Sequence, residues 1–200
     1  MDTLFYHDGS RQLQDAFHSR PIADRLEQVT LHATFTPSDR GFIESAIYFF
    51  LATADADGRP DVSFKGGPAG FVRVTGASEL AFPDYDGNGM FRSLGNLSVN
   101  PNVGLLFIAL HGRPRRMRVQ GRASIDRNDP LLAQTVGAQM IVRVAASAIF
   151  PNCPRYIPHL ELADESPYVP RPGAVPVEPG WKSEGAFADA IHPRAKTFRG

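Results

Sequence analysis

Apolar residues along this chain recur mostly at a spacing of two, in short runs broken by glycine, proline and aspartate. This pattern predicts strands joined by tight turns. Ile47 to Thr53 is the first run, Asp57-Gly58 marks a hairpin turn, and the return strand covers Asp61 to Lys65. Gly66-Gly67-Pro68 breaks the chain before Phe71 to Val74, and Glu79 to Phe82 forms another strand. Val103 to Leu110 is a wholly apolar run, expected as a buried strand. Arg116 to Ile125 sets Met117 and Val119 against Arg116, Arg118 and Gln120, the alternation of a half-exposed strand, and Met140 to Phe150 is the last strand.

Helical spacing is rarer. Ser10 to Gln28 predicts one or two short helices interrupted at Pro21, burying a stripe of Leu13, Phe17, Ile22 and Leu26. Ser38 is the expected cap of a short helix carrying Phe42 and Ile43. A third helix should start within Gly87 to Met90, because Met90, Leu94 and Leu97 follow at i, i+4 and i+7. Asp129-Pro130 reads as a helix start, with Gly137 as its end.

Hairpins in series with few long helices favour a mainly β fold, an antiparallel β-barrel with flanking helices, over a parallel doubly wound sheet. More than half of the 17 prolines lie between Pro151 and Pro193, so the chain should end irregularly. The expected division is a helical covering segment over 1–36, a barrel over 37–157 and a proline-rich tail over 158–200.

The 21 basic and 21 acidic side chains balance, so no overall field draws the chain to nucleic acid or anionic lipid. Arg113, Arg115, Arg116 and Arg118 cluster without aromatic platforms beside them, which argues for a solvated strand face rather than a nucleic-acid groove. Cys153 is the only cysteine, which excludes an internal disulfide and agrees with a reducing, cytoplasmic setting. The amino terminus lacks a secretory pattern, and no stretch approaches the roughly twenty apolar residues of a membrane span. The six histidines show no metal-ligand spacing, so no metal is expected.

The candidate chemistry centres on the helix start after Gly87, Asn88 and Gly89. Free backbone N–H groups and Arg92 in the first turn form an arrangement that can hold a phosphate, although an ordinary capped helix uses the same features. Lys65 stands beside two glycines where a backbone can approach a planar ligand. Ser63, Lys65, Arg92, Ser93 and Arg116 could donate to a phosphate and a heteroaromatic ring, with Phe82, Met90 or Phe91 in apolar contact. No nucleophile coupled to a base is apparent, so any hard chemistry would belong to a cofactor.

These residues have a familiar order. Phe50 to Gly67, Leu80 to Ser93, Asn100 to Phe107 and Arg115 to Gly121 resemble the pyridoxamine 5′-phosphate oxidase-like flavoproteins over roughly residues 40–157. Asn152 to Ile157 resembles the closing motif of one bacterial branch of that family. The resemblance implies a split β-barrel, a homodimer and FMN at the subunit interface. It places Ser63, Phe64, Lys65 and Gly66 along the flavin and its ribityl phosphate, and Pro83 and Asp84 at the entry to the phosphate loop. That loop, with two extra residues here, would include Gly87, Asn88, Met90 and Phe91. Arg92 and Ser93 match a basic pair that holds the phosphate, the second base being serine here, and Arg116 matches a polar residue lent by the second subunit. The carboxy-terminal arginine and histidine motif of true vitamin B6 oxidases is not found around Trp181 and Arg194. The expectation is therefore an FMN-dependent oxidoreductase acting on an unassigned small molecule, with a nicotinamide nucleotide as one candidate reductant. The alternatives are a non-catalytic flavin, haem or deazaflavin binder, and an arginine-using nucleic-acid-binding barrel.

Overall fold

The computed structural model describes residues 5–109, 112, 114–186 and 189–191. Expectations resting on Leu110, His111, Arg113, His192 and Arg194 fall outside the described residues.

Three helices lead the chain, α1 (Asp8–Ala16), α2 (Arg20–Thr30) and α3 (Pro37–Glu44). Strands β1 (Tyr48–Ala54), β2 (Pro60–Gly66), β3 (Arg73–Val74) and β4 (Glu79–Tyr85) follow, then helix α4 (Arg92–Val99). Strands β5 (Asn102–Ala109), β6 (Arg115–Asp126) and β7 (Ala138–Asn152) complete one antiparallel sheet, ordered β2-β1-β5-β6-β7-β4-β3.

The sheet curls back on itself. Phe49 of β1 touches Phe82 of β4 at a ring separation of 4.9 Å and Phe107 of β5 at 5.1 Å, although β1 and β4 stand four strands apart in the ladder. Inward residues of every long strand except the edge strand β2 (Phe49, Leu51, Leu80, Phe82, Leu105, Phe107, Met117, Val119, Val142, Val144) form one aromatic-rich core, completed by Leu94 and Leu97 of α4. Burial of this apolar surface is the main favourable contribution to the fold. The two longest strands bend at a bulge between Gln120 and Gly121. A Cβ at position 121 would lie 2.2 Å from the Ala145 carbonyl oxygen, so only glycine fits there.

The barrel stays split. Among the described residues β2 pairs only with β1, and the outer side of β4 is paired only at Leu80 and Ala81, by the two-residue β3. Beyond that point Pro83 has no N–H to offer a further strand, which is why a proline is tolerated there. Its other side remains in register with Ile141.

Several sequence expectations are corrected. The stripe Leu13, Phe17, Ile22 and Leu26 is exposed, not buried, with Phe17 at 78%. Charged groups join α1 to α2, Arg11 to Asp24 and Arg20 to Asp15 both at 2.5 Å, and the two helices pack with only Ala23 of the pair buried, which leaves the stripe uncovered. Thr36 rather than Ser38 caps α3, because Pro37 fits the first helical turn and leaves the cap to its predecessor; Thr36 and Asp39 close a reciprocal capping box. Strand β5 alternates, with Val103, Leu105 and Phe107 buried and Gly104, Leu106 and Ile108 partly open. Asp129 caps a 3-10 turn, Pro130–Gln134, instead of an α-helix.

A second anchor lies at the β7 end. Arg143 reaches Asp129 at 2.5 Å and Glu79 at 2.7 Å, and the Asp129 side chain is almost wholly buried. Hydrogen bonds from Arg143 hold the Asp129 carboxyl below the usual carboxylate range. A depressed carboxylate stabilises the fold above its unfolded pKa of about 4 and loses that contribution as pH falls through the folded value. Asp129→Asn is therefore expected to lower stability at pH 7 by about 2–4 kcal/mol and to flatten the acid-side decline between about pH 5 and 2. Denaturant unfolding across that range checks it; an acid limb identical to the parent's would contradict the assignment.

Candidate functional site

The split between β2 and β4 opens into a cleft of about 550 Å³. The alternation of β2 sends Asp61, Ser63 and Lys65 to the inner side, opposite Thr53, Leu51 and Phe49 of β1. Val62 and Phe64 point the other way and are 65% and 62% exposed. Across the gap, Lys65 meets Asp84 of β4 at 3.5 Å, a side-chain bridge where no backbone ladder exists. Gln139 donates to the other Asp84 oxygen at 2.7 Å and to the Tyr85 carbonyl at 3.3 Å, fixing that wall.

The loop 86–91 closes one end. Asn88 accepts the Met90 N–H at 3.0 Å through its side chain, and Gly89 takes φ +74°. Phe91 sits left-handed at φ +48°, a conformation that costs a non-glycine residue about 1–2 kcal/mol and cannot continue a helix. The helix consequently begins at Arg92, later than Gly87 to Met90 as the periodicity predicts. Phe91 is the N-cap and offers no side-chain acceptor, so the first turn of α4 presents its N–H groups without a side-chain cap.

Two residues of that turn face β2. The Ser93 hydroxyl, in a residue only 5% exposed, donates to the Asp61 carboxylate at 2.9 Å and shares a hydrogen bond with the Ser63 hydroxyl at 3.0 Å. Arg92, well exposed, reaches the same carboxylate with Nε at 3.4 Å. Asp61 thus holds the donors that an anion would use. Tyr85 lines the cleft as a neutral phenol, its pKa pushed up to about 12 by burial, so it supplies no base near neutral pH.

Ten of the thirteen residues expected at the site line this one cleft: Ser63, Phe64, Lys65, Asp84, Gly87, Asn88, Met90, Phe91, Arg92 and Ser93. Gly66 and Pro83 continue the strands that carry it, and a Cβ at Gly66 would approach the Phe64 ring within 2.8 Å. Arg116 does not reach the cleft. It lies on β6 between Ile108 and Asn152, with its Nε buried and unpartnered among the described residues. Sequence reasoning missed Asp61, Tyr85, Asp86 and Gln139 as lining residues. Asp61 was legible, since a strand through Ser63 and Lys65 puts it on the same face; Gln139 arrives through long-range pairing that carries no local signal. Among the described residues no group of three His, Cys, Asp or Glu could hold a metal ion, and no helix is long and apolar enough to cross a membrane.

The chain is thus an antiparallel split barrel with an open, donor-rich cleft between its edges. Residues 35–163 match the family model described as pyridoxamine 5′-phosphate oxidase, and the chain belongs to that family. Several solved structures are similar to parts of the chain. An FMN-binding protein from Syntrophomonas wolfei is 11% identical, covering 72% of this chain and 96% of its own, with a TM-score of 0.45. An FAD-binding protein from Mesorhizobium loti is 15% identical over 62% of this chain and 99% of its own, TM-score 0.43. HupZ of Group A Streptococcus is 17% identical over 58% and 93%, TM-score 0.45. No curated protein matches the chain.

The family implies a flavin, and the cleft's own chemistry fits one. An uncapped helix terminus with Arg92 and Ser93 supplies donors for a phosphate, and exposed Val62, Phe64 and Met90 supply apolar surface for a ring. For a phosphate to take the donors, Asp61 must give up Arg92 and Ser93.

Proposed function

We propose that this chain is an FMN-binding flavoprotein and an oxidoreductase acting on a small molecule. One observation carries the reading: Arg92 and Ser93, on the uncapped first turn of α4, line one cleft with Ser63 and Lys65 and with the apolar Val62, Phe64 and Met90. This is a site for a ligand with one anionic end and one flat apolar end. A bound flavin ring supplies electron and hydride transfer, for which a nicotinamide nucleotide is one candidate reductant. The chain's own residues bind and orient. Arg92, Ser93 and the α4 N–H groups hold the phosphate, Ser63 and Lys65 lie along the ligand, and Phe64 and Met90 shield it from water.

A homodimer completes the same reading. The outward face of β1, β2 and β5 carries Phe50, Val62, Phe64 and Leu106, an apolar surface continuous with the cleft wall. Arg116 and Arg118 border it on β6. Tyr48 Oη and Arg116 Nε are buried without partners among the described residues. Arg116 is then the residue one subunit lends to the other's flavin. The single cysteine supports a cytoplasmic setting.

Arg92→Ala is expected to weaken FMN binding by about tenfold or more while leaving the melting temperature of the flavin-free protein unchanged, since exposed ion pairs contribute little to stability. Fluorescence titration and thermal denaturation check the pair of outcomes; equal loss of both would return the arginine to a structural role. Leu106→Asp is expected to yield a monomer by sedimentation and to weaken FMN binding by about tenfold or more, because the lent Arg116 goes with the partner. A monomeric variant that binds FMN as tightly as the parent would contradict the interfacial site.

A further inference from the structure

The chain beyond residue 163 lies outside the family match, yet it returns to the cleft. Lys182, in the 3-10 turn Gly180–Ser183, is only 5% exposed. A buried ammonium is stable only against an anion, and this one is paired with Asp86 and lies 3.8 Å from Glu178. Asp86 begins the loop that closes the cleft and lines it. A second anchor sits beside it: Pro170 lies where a Cβ on Gly137 would fall, 2.9 Å away, with the Tyr85 ring at the same spot. Of the two tail contacts, the Lys182–Asp86 pair reaches the base of the 86–91 loop and the Pro170 contact lies against Gly137.

The charges give the first contact a purpose. Three carboxylates, Asp61, Asp84 and Asp86, line the cleft with only two cations, Arg92 and Lys65. Each of those cations already has its carboxylate, Asp61 or Asp84. Among the described residues Asp86 has none from the barrel, and an unneutralised carboxylate beside the site would repel a phosphate. We propose that Lys182 is a positioning residue of the anion site, neutralising Asp86 so that the cleft beside it accepts a phosphate. The proposal rests on the flavin reading above and adds to it a second requirement, the docked C-terminal segment.

The test uses the full-length chain with Lys182→Met, Asp86→Asn and the double variant, read by FMN fluorescence titration and by hydrogen exchange of the 86–91 amides without flavin. Lys182→Met should weaken FMN binding by about tenfold and speed exchange in the loop, and Asp86→Asn alone, which leaves the buried Lys182 only Glu178 at 3.8 Å, should speed exchange in the loop as well. The double variant should recover to within about threefold of the parent, because removing the carboxylate removes the need for its counterion. Parental affinity and exchange in Lys182→Met would overturn the proposal, as would a double variant as weak as Lys182→Met alone. A parent chain that does not bind FMN at all would instead overturn the flavin reading, and the two failures are distinct.

Discussion

The structure depends on a sheet that cannot close. Strand β4 would have to accept β2 along its outer side to complete the barrel, but Pro83 removes a backbone donor there and β3 ends after pairing Leu80 and Ala81. The two walls are joined by side chains, with Lys65 against Asp84, instead of by a ladder. A ladder would have filled the space between them. The open join leaves a cleft whose walls are rigid strands backed by the aromatic core around Phe49, which suits a site that must hold a ligand in one orientation.

Charge is the second organising feature. The cleft carries its cations already partnered: Arg92 by Asp61 and Lys65 by Asp84. Such internal pairing keeps the donors ordered before a ligand arrives, at the cost of competition when an anion does. The uncapped start of α4 adds donors that no carboxylate side chain caps, and these are the groups an incoming phosphate can use without displacing anything. Burial keeps Tyr85 a neutral phenol near neutral pH, so it adds a hydroxyl and no charge to the cleft.

Much of this was legible in the sequence because the signals were local. The hairpin at Asp57-Gly58, the alternation of Met117 and Val119, and the breaking glycines at 87 and 89 mark β1–β2, β6 and the loop before α4. The order of these motifs also carried the family. Expectations failed where tertiary context decides. The Leu13–Phe17–Ile22–Leu26 spacing is amphipathic, but α1 and α2 pack with only Ala23 buried and leave that face uncovered. Nor did an apolar run reveal that one side of β5 lies partly open. Asp61 could have been added from the period of β2, whereas Gln139 and Lys182 reach the cleft from about 50 and 100 residues away through pairings no local pattern encodes.

The central claim is that the cleft recognises a flavin by its phosphate. Its most direct test is a parallel titration of the flavin-free protein with FMN and with riboflavin, which differ only in that group. Two charge-assisted hydrogen bonds from Arg92 and the α4 terminus should make FMN bind about 100-fold tighter than riboflavin, with the ratio shrinking as salt is raised. Equal affinity for the two, at any ionic strength, would contradict the account.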